Sequence, residues 1–281
     1  MTVTIDVVAV ADAGLGNRAY LVDLGDGGAL LVDPQRVVEP YERTAHERGL
    51  RIRAVAETHL HADFVSGGRE LAATGADLIV PAAGGYAFDH RGVGDGDEVD
   101  LGGLTMRAVA TPGHTPEHLA YLLADGPTPV AVFSGGTLTA GGVARPDLIA
   151  ADQTQRLARA AYRSITERLL TLPDDLPVYP THGGGSFCST GARGRHATTI
   201  GTERAANPLL QAPDEDAFVA RLLGGLGSYP EYFLHLRQVN RTGPTLYGRD
   251  LPRLRPTTAA AVVEAVAGGA VVVDTRPIDR F

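Results

Sequence analysis

Glu57-Thr58-His59-Leu60-His61-Ala62-Asp63-Phe64-Val65-Ser66-Gly67-Gly68 is the stretch from which the rest of the chain can be read. It follows Arg51-Ile52-Arg53-Ala54-Val55-Ala56, whose apolar residues alternate as a half-buried strand requires, and it precedes a helix-like run from Val65 to Thr74. The cluster therefore belongs at the end of a strand. On an extended backbone, side chains at i, i+2 and i+4 leave the same face, so His59, His61 and Asp63 are expected to converge. Two imidazoles and a carboxylate in that pattern suit a divalent cation. A lone histidine is more simply read as a buried ring satisfied by a backbone carbonyl. Here further histidines recur in turns, Pro112-Gly113-His114 and Pro180-Thr181-His182-Gly183, and the recurrence favours a metal site.

With 281 residues and a 44% apolar share, the chain can enclose one large domain or two smaller ones. A formal charge of -8 and the lack of any basic run argue against binding nucleic acid through its phosphates. All 25 cationic side chains are arginine, which removes Schiff-base lysine chemistry and the lysine of a phosphate-binding loop. The single Cys188 cannot form an internal disulfide, so nothing points to an oxidising compartment. Met1 to Val10 alternates polar and apolar residues, unlike a signal peptide, and no stretch has the length and apolarity of a membrane span. The expected setting is the cytoplasm, with neither membrane nor nucleic acid as partner.

Taken in order, Val3 to Val10 reads as a strand, and Arg18 to Leu24 with Ala29 to Asp33 as a hairpin closed by Gly25-Asp26-Gly27-Gly28. Val37 to Arg48 reads as a helix and Ile52 to Thr58 as the strand that carries the first histidines. A second β-rich block follows: Leu78 to Pro81, Glu98 to Leu101, Leu104 to Thr111, Leu119 to Ala124 and Val130 to Ser134. Asp152 to Leu170 has helical periodicity, and Pro177 to Pro180 is a short strand ending at His182. Two strand-rich blocks, each closed by helices, suit two sheets packed face to face between helical layers. Both blocks deliver histidines at strand ends, along one edge of that sandwich. Ala197 to Asn207, Asp214 to Leu223 and Tyr229 to Asn240 read as three further helices, residues 243–256 as a linker, Thr257 to Val266 as a helix and Ala270 to Asp274 as a strand.

Thr-His-Leu-His-Ala-Asp-Phe-Val-Ser-Gly-Gly at 58–68, Thr-Pro-Gly-His-Thr-Pro-Glu-His at 111–118, Phe-Ser-Gly-Gly-Thr-Leu at 133–138 and Pro-Thr-His-Gly at 180–183 resemble the metal-binding motifs of the metallo-β-lactamase superfamily. Within it the chain is most similar to persulfide dioxygenases of the type fused to rhodanese domains. The tail from Asn207-Pro208-Leu209-Leu210 through Asn240-Arg241-Thr242-Gly243-Pro244 belongs to the same resemblance, and Val271-Val272-Val273-Asp274-Thr275-Arg276 looks like the first strand of a rhodanese module. The resemblance implies an α/β fold, an αββα sandwich with a helical extension over 1–242, a linker over 243–256 and the start of a rhodanese-like domain over 257–281. That module's catalytic cysteine would lie beyond Phe281. By the same resemblance His59 and His114 fall on iron-binding positions, and His61, Asp63 and His182 on other ligand positions. One divalent metal, Fe(II) or Zn(II), is expected on His59, His61 and His114, with Asp63 and His182 in catalytic roles. Cys188 and Phe64 are candidates for the substrate pocket of a small thiol or persulfide. The partners implied are that small molecule, the rhodanese domain of a longer chain and, for the oligomeric state, room for a homo-oligomer.

Two positions depart from the pattern. Phe64 stands where a histidine is expected, and Gly136 stands where a metal-bridging aspartate is expected. Without them only Asp63 and His182 remain for a second ion, too few for a tight site, so at most one firmly held metal is expected. An iron(II) oxygenase typically uses two histidines and one carboxylate, and Gly136 removes the family's carboxylate. Neutral imidazoles alone leave the ion its full charge and tilt the site toward Lewis-acid hydrolysis. Three functions are therefore compared: a persulfide dioxygenase yielding sulfite and thiol, a three-histidine zinc hydrolase of thioester type, and a catalytically silent platform for a sulfur carrier. His118 reads as a hydrogen-bonding or core residue; Tyr229, Tyr232 and Phe233 as helix packing near the pocket mouth; and Arg193, Arg195 and Arg204 as surface charge or anchors for the carboxylates of a thiol cofactor.

Overall fold

In β2 (Arg18–Asp23) and β3 (Gly28–Val32) the apolar residues run on without a polar face. Tyr20, Val22, Leu30 and Val32 point into one apolar cluster, and Ala19, Leu21, Ala29 and Leu31 into another. A strand that is apolar on both faces must be covered on both. The computed structural model, which describes residues 5–12, 14–190, 197–248, 252 and 254–274, supplies the covers.

The first sheet contains β1 (Val7–Ala11), β2, β3, β4 (Arg51–Ala56), β5 (Asp77–Pro81) and β6 (Arg91–Val93), in that spatial order. It is antiparallel from β1 to β3 and parallel from β3 to β6. The second sheet runs β12 (Thr198–Thr199), β11 (Pro177–Pro180), β10 (Thr128–Gly135), β9 (Leu119–Asp125), β8 (Thr105–Ala110) and β7 (Glu98–Asp100). Between the sheets lies a core that includes Tyr20, Leu30, Ile79, Met106, Tyr121 and Phe133. Helices α1 (Glu39–Glu47) and α2 (Gly68–Ala72) cover the outer face of the first sheet through Tyr41, Ala45 and Leu71. Helices α3 (Thr154–Arg163), α4 (Ile200–Ala206) and α5 (Glu215–Gly224) cover the second through residues such as Ala161, Ile200 and Phe218. The αββα layering expected from the sequence is the one observed.

Helix α3 is flanked by a 3₁₀ turn at Ala151–Gln153 and a π-helical stretch at Ser164–Leu169, so the single helix expected over 152–170 is built from three kinds of turn. Its close fit to the second histidine turn has a cause in sequence: a Cβ on Gly113 would lie 2.5 Å from that of Ala161. Helix α6 (Phe233–Thr242) completes the large unit, residues 1–246. The small unit, residues 247–281, contains α7 (Ala259–Ala267). The strand expected at 270–274 is not formed: residues 270–274 join no sheet, the Ala270 N–H instead bonds the Ala265 carbonyl at the end of α7, and Val271, Val272 and Val273 are exposed. A strand needs a neighbour for its N–H and C=O groups.

Candidate metal centre

Three strand ends deliver the histidines to one edge of the sandwich. Residues 57–64 follow β4, residues 111–118 follow β8, and Thr181-His182 follows β11. The segment 57–64 is a looped turn rather than the extended run read from its i, i+2, i+4 spacing, so its side chains are gathered by loop geometry and by the groups that hold the loop. His59, His61, Asp63, His114 and His182 are all at most 2% exposed. The His59 ring lies 4.1 Å from that of His61, 4.7 Å from His114 and 5.3 Å from His182, centre to centre.

Hydrogen-bond partners assign the tautomers. The Thr58 hydroxyl donates to Asp33 Oδ2 at 2.7 Å, so the 2.8 Å contact to His59 Nδ1 has the imidazole as donor. His114 Nδ1 donates to the Arg145 carbonyl at 2.7 Å. Asn17 gives its amide N–H to Asp63 Oδ2 at 2.6 Å, which turns its carbonyl to accept from His182 Nδ1 at 3.0 Å. In each ring Nε2 is left as a bare lone pair, and those of His59 and His182 face each other at 3.3 Å. Donor atoms of His59, His114 and His182 all lie within 4.8 Å of one another. Lone pairs gathered in this way repel unless a cation lies among them.

Burial, reinforced by the neighbouring rings, holds His59 and His114 well below the ordinary imidazole pKa. Burial lowers His182 as well, against the pull of Asp63. Neutral imidazole is the form a metal requires. His61 differs. Burial would lower it, but the charge and hydrogen bonds of Asp33, with those of Glu57, outweigh that and raise it to about 10. Its Nε2 lies 3.1 Å from both Asp33 Oδ1 and Glu57 Oε2, while its Nδ1 is buried with no partner. A proton on Nδ1 would thus be a donor without an acceptor, and a cation there would replace it while Nε2–H stays on the carboxylates. Asp63 Oδ1 is likewise buried and unpartnered. His61 and Asp63 form a second set with His182, and His61 and His59 a third with Asp33. The donor set fits a divalent metal of the borderline kind that imidazole and carboxylate bind.

His118 has no lone pair to offer. It accepts from the Gly136 N–H at 3.0 Å through Nε2, and its Nδ1 is 2.9 Å from the Thr111 hydroxyl. Burial lowers it to about 3, so it stays neutral and holds the Gly135-Gly136 turn. Phe64 is 5% exposed and stacks on His61 at 4.2 Å and 26°. Cys188 is fully buried with Ala62, Leu148 and Phe233, and burial together with the adjacent Asp63 pushes its thiol well up, which makes it a poor nucleophile. Tyr229 stacks on Phe233 and carries the Arg145 guanidinium on its face. Arg204 bonds to Leu170 and Asp174, away from the cluster, and Arg193 and Arg195 lie outside the described residues.

Sequence reasoning did not find Asp33, Asn17 or Glu57 as site residues. Asp33 holds the three segments together: it accepts from the Thr58 N–H and hydroxyl, from His61 and from the Thr181 hydroxyl. Its φ of 50° is the one positive value at a non-glycine among the described residues. The signal available was an acid placed directly after an apolar strand and before a proline.

Residues 13–182 match the profile described as the Metallo-beta-lactamase superfamily, and the chain belongs to that superfamily. It is 32% identical over 203 residues to the mitochondrial persulfide dioxygenase ETHE1 of Homo sapiens, covering 70% of this chain and 72% of that one. It is 36% identical over 197 residues to a hydroxyacylglutathione hydrolase of Methylococcus capsulatus, covering 68% and 69%. Among solved structures it is similar to a metallo-beta-lactamase from Staphylococcus aureus, with TM-score 0.80, 31% identity and coverage of 87% and 75%. It is also similar to ETHE1 from Myxococcus xanthus, with TM-score 0.72, 28% identity and coverage of 84% and 98%. Its homologues are metal-dependent enzymes, a dioxygenase and a hydrolase among them. No helix among the described residues is long and apolar enough to cross a membrane.

Proposed function

We propose that this chain is a mononuclear metal-dependent enzyme of sulfur metabolism that converts a low-molecular-weight persulfide, with dioxygen and water, to sulfite and thiol. The observation that carries this reading is the unpartnered Asp63 Oδ1, in a residue whose carboxylate lies within 4.8 Å of donor atoms of His61 and His182. Two histidines and one carboxylate are the set a non-haem iron(II) oxygenase uses. In this reading Asp63 takes over the part that Gly136 cannot supply. His59, His61, His114 and His182 are the imidazoles available to the ion, which would bind dioxygen and the terminal sulfur when present. Asn17 orients Asp63 and His182 together, Asp33 fixes the His61 tautomer, and the apolar side of the site, Ala62, Leu148, Cys188 and Phe233, excludes water from a sulfur substrate. The small unit is read as the opening of a rhodanese-like module. The sequence of 271–276 and the exposed valines of 271–273 support that reading.

A second reading rests on the set His59, His114 and His182, which contains no carboxylate and suits a zinc-bound hydroxide for thioester hydrolysis. Metal analysis of the freshly purified chain with oxygen uptake on a glutathione persulfide separates the two. Iron near one equivalent, with sulfite formed as oxygen is consumed and both lost in Asp63→Asn, is the expected result. Stoichiometric zinc without oxygen uptake overturns it in favour of the hydrolase, and protein that retains no metal leaves only the silent sulfur-carrier platform.

A further inference from the structure

The segment that bears His61 and Asp63 has no water to satisfy its backbone: Leu60, His61, Ala62, Asp63 and Phe64 are all at most 5% exposed. Several of its partners come from helix α6, outside the matched residues 13–182. Asn240 donates through one amide nitrogen to the carbonyls of His61 and Phe64, both at 2.8 Å, and accepts from the Ser66 N–H at 2.9 Å. Asp63 thus lies between two carbonyls held by the same group. One turn earlier, Arg237 makes a bidentate pair with Glu117, 2.8 Å on each arm, and Glu117 accepts from the Leu60 N–H at 3.1 Å. Glu117 belongs to the turn that carries His114, so Arg237 ties the two histidine loops to each other. One turn further back Phe233 packs on Ala62 and Cys188. Residues 233, 237 and 240 follow i, i+4, i+7, one face of one helix.

We propose that α6 is part of the metal site, and that Asn240 is a positioning residue which, with Arg237, sets His61 and Asp63 against His114. This rests on the reading that the cluster binds a metal. A buried carbonyl that loses its donor rearranges or pays the cost of desolvation, and the loop between the two carbonyls is the one that aims Asp63. The dependence is on geometry, so it is separable from a general loss of stability.

Cobalt(II) titration of the full chain, read by its visible absorption, is the test, with Leu222→Ala as a control that loosens the core behind the second sheet, among Ile165, Phe218 and Val219. Asn240→Ala is expected to weaken cobalt binding by about 10-fold or more and to shift the absorption bands, as outer partners of metal ligands do. Leu222→Ala should lower the melting temperature and leave both unchanged. Should Asn240→Ala not fold, Asn240→Asp, which keeps the shape and loses the amide donors, carries the same expectation. Wild-type affinity and spectrum in the Asn240 variants, or an equal loss in Leu222→Ala, overturns the proposal. A wild-type chain that takes up no cobalt overturns the metal reading itself and this inference with it.

Discussion

Phe64 and Gly136 stand at the two positions where the resemblance leads one to expect a ligand, and their surroundings differ in opposite ways. At position 64 the replacement is bulk: the phenyl ring is buried and stacked on His61. At position 136 the replacement is absence, and the space has closed. A Cβ built on Gly136 would stand 2.6 Å from His114 Cδ2 and 3.0 Å from the Ala144 Cβ, and the His114 ring is fixed by its bond to the Arg145 carbonyl. The glycine is therefore not an empty seat for a carboxylate. The first turn can exchange one ring for another, whereas the second can take an acid only if the His114 ring moves.

The largest effect expected from breaking this contrast lies beneath the first turn. Arg237→Met leaves the buried Glu117 carboxylate unpaired, which should cost about 3–5 kcal/mol in denaturant unfolding. The Gly135-Gly136 turn, which rests on His118, should keep its geometry. Next is Gly136→Asp, expected to lose about 1–3 kcal/mol through overpacking and to bind metal more weakly. A gain in iron affinity would show that His114 yields, and the two turns would then be alike.

A pH profile tests the brace without changing volume. Burial would raise the Glu117 carboxyl, but the Arg237 hydrogen bonds and charge outweigh it and hold the group below its ordinary 4.5. Because the folded value is the depressed one, this contribution is complete above pH 4.5 and is lost as pH falls through the folded value. Glu117→Gln should remove that component of the acid limb of the unfolding curve. The narrowest effect belongs to Phe64→His, a ring for a ring that adds two nitrogens. Its readout is the metal count: it should let a second, weaker zinc equivalent register in equilibrium dialysis beside Asp63 and His182. No second equivalent would show that position 136 alone decides the metal count.

The parts of this architecture that were legible in the sequence are those written locally. Alternation and apolar runs mark the strands, and the histidine turns stand out by composition. The short β6 and β12, of three and two residues, are too brief for any period to register. What was not legible at the site are contacts across the fold. Asp33 meets Thr181 over 148 positions and Asn240 meets His61 over 179, and an isolated acid or amide has no periodicity to mark it. The extended geometry expected at 57–64 was wrong for a related reason. Spacing of i, i+2, i+4 describes a strand, but here the chain has left the sheet and tertiary hydrogen bonds decide its course.

Asp33 also dictates a sequence of events for the growing polypeptide. The four hydrogen bonds it accepts come from Thr58, His61 and Thr181, so its full set of donors exists only once the ribosome has released more than half of the chain. The amide that secures the carbonyls on either side of Asp63 emerges later still, at residue 240. On the proposed metal reading, capture of an ion would follow the emergence of α6, and a nascent chain halted before it would lack the amide that holds the His61 and Phe64 carbonyls.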